Sequence, residues 1–289
     1  MRARGQALMC CAVPLEDVEI EVEGVSSLAK EDAATLRRLK ARVHKLEPLA
    51  PTVMRVVLSL LEGGPVRFTA GQYINIILED GGKRAFSFAN APADPAQPFP
   101  LPSDDLIELH VRLIEGGRFT THVFEQMKVG DTLELEGPIG RFTLRESERP
   151  ILMIAGATGF APIKSILEDA FRRGIKRPIE LYWGVRLPHD LYMQDLLAQW
   201  QERYSNFRYI PVLSDIGDED PWSGRRGYVH QALLVDHPDL TGYEVYACGS
   251  TRMVEAAVPD FIAHGLGEQY CFSDAFVPSF EAPAAPEPA

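Results

Sequence analysis

Apolar positions along the chain change their rhythm twice. Near the start, Val18, Ile20 and Val22 alternate with Glu19, Glu21 and Glu23, the period-two pattern of a half-exposed strand. Residues 26–40 then hold only scattered apolar positions, Leu28, Leu36 and Leu39, among polar neighbours, and are read as a linker. From Ala41 onward, short β-prone runs follow at Val53–Leu61, Gln72–Leu78, Arg84–Ala89, Leu106–Leu113 and Thr132–Glu136. They are broken by Gly63-Gly64, Asp80-Gly81-Gly82 and Gly116-Gly117. Short strands with regular turn signals predict a small antiparallel barrel or sandwich.

After Pro150 the buried-type runs ILMIA, IELYW, YIPVL and YEVYA are separated by longer stretches of helical character. In the first of these, Ile163, Ile166, Leu167, Ala170 and Phe171 fall on one helical face at three- and four-residue spacing. Strand alternating with helix predicts a doubly wound parallel sheet. The expected architecture is therefore an antiparallel barrel over residues 41–148 followed by a parallel α/β domain over 149–277, with the boundary near 147–150. The proline-rich stretch Pro92–Asp105 reads as irregular, and residues 278–289, rich in Pro, Ala and Glu, as a disordered tail.

Composition narrows the function classes. The 289 residues carry a net charge of -12, and no Lys/Arg cluster interrupts the acidic balance, which argues against a nucleic-acid partner. No apolar run approaches the ~18 residues that cross a bilayer, so no membrane association is expected. Arg2, Arg4 and the apolar stretch Ala7–Val13 imitate a signal peptide, but that stretch runs straight into Pro14, Glu16 and Asp17. Cys10, Cys11, Cys248 and Cys271 show no paired metal-ligand spacing and are too few for a secreted disulfide scaffold. A cytoplasmic protein without a metal site is the expectation.

Two places carry candidate chemistry. ILMIAGATGFAPIKSIL joins a buried strand to a helix through Gly156 and Gly159, with Pro162 in the first turn and the Thr158 hydroxyl beside it. Such a junction aims unpaired amides at a pyrophosphate, although the same spacing fits a tight turn without a ligand. A helix terminus contributes about 1 kcal/mol toward an anion, whereas micromolar affinity needs roughly 8. Other strand ends must supply the rest. Tyr182-Trp183-Gly184-Val185-Arg186 offers aromatic surface for a base and a cation for ribose or phosphate, and Tyr246-Ala247-Cys248-Gly249 offers close approach to a flat ligand. In the first half, KRAFSFAN sets Arg84 and Phe86 on one face of a strand and Ser87 on the other. Gly116-Gly117-Arg118-Phe119-Thr120-Thr121 precedes a short helix ending near Met127, a second possible anion site.

Taken in order, RAFS, GGRFTTHV, GPIG, GATGFAP, YWGVR, ACGSTRM and FSDAF resemble the ferredoxin-NADP reductase superfamily over roughly residues 41–280. Within it, the chain is most similar to the bacterial CDP-6-deoxy-3,4-glucoseen reductases and NAD(P)H-flavin reductases. The resemblance implies a flavin-binding barrel, with FAD preferred to FMN, and an NAD(P)H-binding α/β domain. It places Arg84 on flavin phosphate, Phe86 against the ring system and Ser87 near flavin N5, with Ala85, His110 and Val111 among the cofactor contacts. It places Gly116, Gly117 and Thr120 or Thr121 at the flavin phosphates, and Gly156, Thr158, Gly159, Pro162, Trp183 and Arg186 on the pyridine nucleotide. Cys248 and Gly249 fall on the nicotinamide side, and Phe276 corresponds to the aromatic near the carboxyl end that in relatives lies close to the flavin. The implied reaction is hydride transfer from NAD(P)H to flavin N5, tuned by Ser87, Cys248 and Phe276, and then electron delivery to an iron-sulfur or other redox partner.

Relatives with a plant-type ferredoxin module close it on a cysteine, A-x-P-L and an acidic strand. Cys10 matches the last cluster ligand, so residues 1–25 resemble the remnant of such a module. The preceding cysteine run is absent, and a two-iron two-sulfur cluster needs four ligands. This chain as given is not expected to hold one. A reductase that releases reduced flavin and a non-catalytic flavoprotein subunit remain as alternative readings. The choice between NADH and NADPH stays open.

Overall fold

The computed structural model describes residues 36–62, 66–93, 106–217 and 219–277. The expected strand at Val18–Glu23, Cys10 and Cys11, the proline-rich residues 94–105 and the tail 278–289 lie outside the described residues. Residues from Arg37 onward belong to one compact unit built on two six-stranded sheets.

The first sheet comprises β1 (Arg37–Ala50), β2 (Val53–Leu60), β3 (Tyr73–Ile77), β4 (Lys83–Ser87), β5 (Leu106–Arg112) and β6 (Thr132–Ile139). Its order is β4-β3-β6-β1-β2-β5, and its ladders are antiparallel. An isolated bridge between Phe88 and Leu109 brings the two ends of that order together. Helix α1 (Arg118–Glu125) covers one end and buries Phe119 and Val123.

The long strand β1 was not among the expected runs, and its first residues, Arg37–Lys40, fall in the stretch read as linker. Its apolar positions Leu39, Ala41 and Val43 are buried while Lys40, Arg42 and His44 are exposed. The period is therefore two, but short apolar side chains between long cations hide it. Pairing of Arg37–Arg42 with Thr132–Gly137 supplies the ladder that fixes it.

The second sheet comprises β7 (Ile151–Gly156), β8 (Ile179–Val185), β9 (Phe207–Leu213), β10 (Arg225–Arg226), β11 (Glu244–Ser250) and β12 (Cys271–Phe276). The strands are parallel in the order β10-β9-β8-β7-β11-β12. Central strands buried on both faces explain the continuous apolar runs. Helices α2 (Phe160–Arg172) and α3 (Gln194–Arg203) pack one face with Ile151, Met153 and Ala155. Helices α4 (Val229–Asp236) and α5 (Thr251–Ala263) pack the other with Leu152 and Ile154.

The two sheets share side chains at their seam, because Val53, Ala70 and Phe142 belong to the same apolar cluster as α2 and β7. Gly71, at φ +96°, lies so close that a Cβ would stand 1.8 Å from the Phe142 carbonyl oxygen. The connection from β6 to β7 is fastened by the buried Arg177, which donates to the carbonyls of Arg149 (2.6 Å) and Arg145 (2.9 Å) and pairs with Glu244 (2.6 Å).

Candidate active site

Bridge and backbone pairing close the first sheet only on the Phe88–Asn90 side of β4, where Ala89 N donates to Glu108 O at 2.8 Å. On the other side of the bridge, Arg84–Ser87 and His110–Arg112 face one another without a ladder. A slot between two strand edges leaves backbone donors and acceptors for a polar ring edge. Arg84 makes no direct ion pair among the described residues, although, together with the Gly82 amide, its charge helps lower the Asp80 pKa, and its guanidinium donates to Lys83 O at 3.0 Å. Phe86 on the same face meets Phe119 with ring centroids 5.5 Å apart. Ser87, 6% exposed, lies beneath on the opposite face, and Ala85 is exposed between them.

The loop before α1 turns at Gly116, φ +74°, with open space where a Cβ would stand. No side chain caps this helix at Gly117, so its first amides are left for a ligand or solvent. Thr120 is committed to the turn, since its Oγ1 accepts from Ile114 N at 3.1 Å and donates to Gly117 O at 3.1 Å. Of the two threonines, Thr121 therefore keeps its hydroxyl available. Val111 is fully buried in the barrel core, which leaves only its backbone to the slot.

His110, expected among the cofactor contacts, has its side chain turned into the protein. Its ring is buried, with Nε2 2.9 Å from Glu108 Oε1 and Nδ1 3.2 Å from Tyr192 Oη. Burial alone would raise the Glu108 pKa, but His110, Lys164 and Arg55 outweigh it and hold it at about 2. An ionised carboxylate only accepts, so Nε2 carries the proton. Burial lowers the His110 pKa and keeps the ring neutral, so Nδ1 accepts from Tyr192. Both nitrogens are thereby used inside the protein.

At the second junction, Ala157 holds φ +48°, a left-handed conformation uncommon outside glycine and concentrated at functional turns. Trp183 Nε1 donates to Ala157 O at 2.9 Å and fixes it. Trp183 itself is fully buried and stacks on Phe160 at 4.2 Å. It therefore supports the turn from below, and the expected aromatic surface for a base is not presented there. A Cβ on Gly159 would stand 2.2 Å from Cys248 O, and one on Gly156 2.6 Å from Met253 Sδ. These glycines let the turn settle against the end of β11. Thr158 and Pro162 sit with it, both buried. Arg186 is exposed but not free, because Asp215 at the end of β9 takes its Nη2 at 2.6 Å and its Nε at 3.1 Å.

The two junctions meet through β12. Its parallel register sets Asp274 beside Cys248, Ala275 beside Gly249 and Phe276 beside Ser250. Burial, and then the nearby Asp274, push the Cys248 thiol well above its usual range, so it is a neutral side chain and not a thiolate. Burial raises the Asp274 carboxyl to about 6. Burial and the charge of Asp274 also raise Tyr73, and Tyr73 is the cross-strand neighbour of Ser87 on β3. Strand ends expected from the sequence to carry flavin and nicotinamide thus converge on one seam. Asp274 and Tyr73 were not singled out in the sequence, although Asp274 stands inside the FSDAF motif.

Comparison with known proteins identifies both domains. An "Oxidoreductase FAD-binding domain" model matches residues 40–144 and an "Oxidoreductase NAD-binding domain" model residues 153–258. The CDP-6-deoxy-L-threo-D-glycero-4-hexulose-3-dehydrase reductase of Yersinia pestis is 39% identical over 277 residues, 96% of this chain and 79% of that protein. Terephthalate 1,2-dioxygenase reductase component 1 of Comamonas sp is 37% identical over 95% of this chain and 78% of its own length. The chain belongs to the ferredoxin reductase family. The crystal structure of the Amycolatopsis cytochrome P450 reductase GcoB superposes with a TM-score of 0.76 at 34% identity, covering 84% of this chain and 71% of that one.

As a ferredoxin reductase family member the protein is an NAD(P)H-dependent flavoprotein reductase with FAD as cofactor. The residues present fit both ligands. The slot between β4 and β5 and Arg84, which makes no direct ion pair among the described residues, suit a flavin nucleotide, and the close glycine turn at 156–159 suits a pyrophosphate. Among the described residues, no group of three or more His, Cys, Asp or Glu is placed to hold a metal, and no helix is long and apolar enough to cross a membrane.

Proposed function

We propose that Arg84, Phe86, Ser87 and Thr121 hold FAD in the β4–β5 slot while Gly156, Thr158, Gly159 and Gly249 hold the pyridine nucleotide against it. The observation that carries this reading is the shared seam, in which Asp274 on β12 acts electrostatically on both Cys248 and Tyr73, the neighbour of Ser87. When bound, FAD supplies the capacity to accept two electrons as hydride and to release them singly. The protein supplies alignment and a dry floor. Arg84 neutralises phosphate, Ser87 offers a hydroxyl at the slot, and the side-chain-free Gly249, backed by the buried neutral Cys248, allows a flat ring to approach. Asp274, raised to about 6 by burial, sits beside Cys248 in the β11–β12 ladder and sets the charge of the seam.

Coenzyme preference follows from the exposed pair at the sheet edge. Asp215 already satisfies Arg186, and a carboxylate there repels a 2′-phosphate while accepting from a ribose hydroxyl. NADH is therefore the favoured donor. The electron acceptor is proposed to be an oxygenase or dehydrase component, in keeping with the relatives' names, with an iron-sulfur centre as its expected redox group, and the site of action the reducing cytoplasm, in keeping with the cysteine pattern. Anaerobic titration of the flavin-loaded protein with NADH tests the reading. Full bleaching of the flavin band at one equivalent is expected, with NADPH much less effective. A protein that takes up no FAD, or whose bound flavin is untouched by either nucleotide, would refute it. Loss of flavin on desalting after reduction would instead favour a reductase that releases its reduced flavin.

A further inference from the structure

One face of α2 grips the chain that leaves the flavin strand. Lys164 Nζ donates to Ala89 O at 2.7 Å, and Ser165 Oγ donates to Asn90 O at 2.7 Å. Ala91 N donates to Glu168 Oε2 at 2.9 Å, and Arg172 donates to Pro92 O. Four consecutive backbone positions, 89–92, are thus held in order by four side chains of one helix face. The face is anchored below. Lys164, buried, also pairs with Glu168 at 2.7 Å and Glu108 at 3.3 Å. Glu108 is further held by Arg55 at 2.6 Å and by His110, which takes the hydroxyl of Tyr192.

Placement gives this contact its meaning. Residues 89–92 begin two positions after Ser87 at the flavin slot, and Lys164 lies in the first turns of the helix that opens at the 156–159 turn. We propose that the α2 face formed by Lys164, Ser165, Glu168 and Arg172 is a positioning element for hydride transfer. By clamping the backbone of residues 89–92, it sets how far the nucleotide turn stands from the flavin strand. This inference rests on the proposed placement of FAD and NADH on either side of the seam. Neither Lys164 nor Ser165 faces the reacting rings in this arrangement, so their effect is on distance and alignment. Near-attack geometry is steep in distance, and an error of about 1 Å lowers a rate by about a hundredfold.

Stopped-flow reduction of the FAD-loaded protein by NADH tests it, with flavin content and the long-wavelength charge-transfer absorbance of the nicotinamide–flavin pair recorded alongside. Lys164→Met should lower the limiting reduction rate by about ten- to a hundredfold and weaken the charge-transfer band. Flavin content and the NADH dissociation constant should stay within about twofold. Ser165→Ala, which deletes one hydroxyl and leaves the buried charges paired, should lower the rate by about three- to tenfold with the same signature. Should Lys164→Met fail to fold around flavin, Ser165→Ala decides alone. Rates within twofold of the parent in a flavin-loaded Ser165→Ala, or a rate loss matched by equal loss of flavin, overturn the proposal. A parent protein that NADH does not reduce would instead refute the functional reading beneath it.

Discussion

Asp274 gives the most direct test of the seam's electrostatics. Burial moves its carboxyl from 3.8 to about 6, about two units at roughly 1.4 kcal/mol each. That is about 3 kcal/mol, reduced to about 2 for the residual exposure of the side chain. The folded chain therefore binds this proton more tightly than the unfolded chain does. Stability contributed by the protonated form is full below about pH 4 and is lost as pH rises through 6, after which a constant penalty remains. Asp274→Asn, neutral and of the same shape, removes the penalty. Roughly half of the change falls between pH 5 and 8, so the variant should exceed the parent by about 1 kcal/mol at pH 5 and about 2 kcal/mol at pH 8. For a domain of this size that is about 2–4 °C and about 4–8 °C in Tm. Scanning calorimetry of both proteins with saturating FAD measures it. An equal gap at the two pH values, or an Asn variant melting below the parent at pH 8, would refute the reasoning.

Three further changes probe the neighbouring contacts. Gly159→Ala drives a methyl to 2.2 Å from Cys248 O; the turn must shift, and we expect a stability loss of about 1–3 kcal/mol and a raised NADH dissociation constant, both read on flavin-loaded protein. Asp215→Asn frees Arg186 for a 2′-phosphate and should raise kcat/KM for NADPH about tenfold against NADH, worth about 1.4 kcal/mol; an unchanged ratio in steady-state assays would count against the role of the pair. Cys248→Leu enlarges a fully buried side chain at the proposed nicotinamide position and should slow flavin reduction with little loss of flavin, so equal stopped-flow rates would remove Cys248 from the site.

Local order was legible in the chain, and its reasons are local. ILMIA reads as a central strand because both faces of β7 are buried, and the α2 face reads from Ile163, Ile166 and Phe171 because one side of that helix packs on the sheet. Strand β1 went unread because Leu39, Ala41 and Val43 are outnumbered by cations, and its partners lie near residues 55 and 135. The site was legible as motifs but not as surfaces. Trp183 was expected to meet a base, yet an aromatic in a strand end reads the same whether it turns up to a ligand or down onto Phe160. His110 was similarly ambiguous until Glu108 and Tyr192 were seen to use both of its nitrogens. No pattern in the sequence couples Lys164 to Ala89, because the contact spans 75 residues and depends on how two sheets dock.

Groups that would touch the ligands and groups that join the two sheets are treated in opposite ways. Along the slot, Arg84 hydrogen-bonds its neighbour's carbonyl without a direct ion pair, and the Gly117 end of α1 has no side-chain cap. Across the joint, Lys164, Glu108 and His110 are buried and each makes more than one polar contact. A site that opened and closed on each turnover would have to break the buried Lys164–Glu108 pair and the His110–Tyr192 bond, leaving an uncompensated buried charge at several kcal/mol. Pre-set docking of the halves with unfilled donors at the slot is the cheaper arrangement when a reaction depends on separation and not on a protein acid or base. It follows that variants along the joint should alter the rate of transfer far more than the occupancy of either ligand.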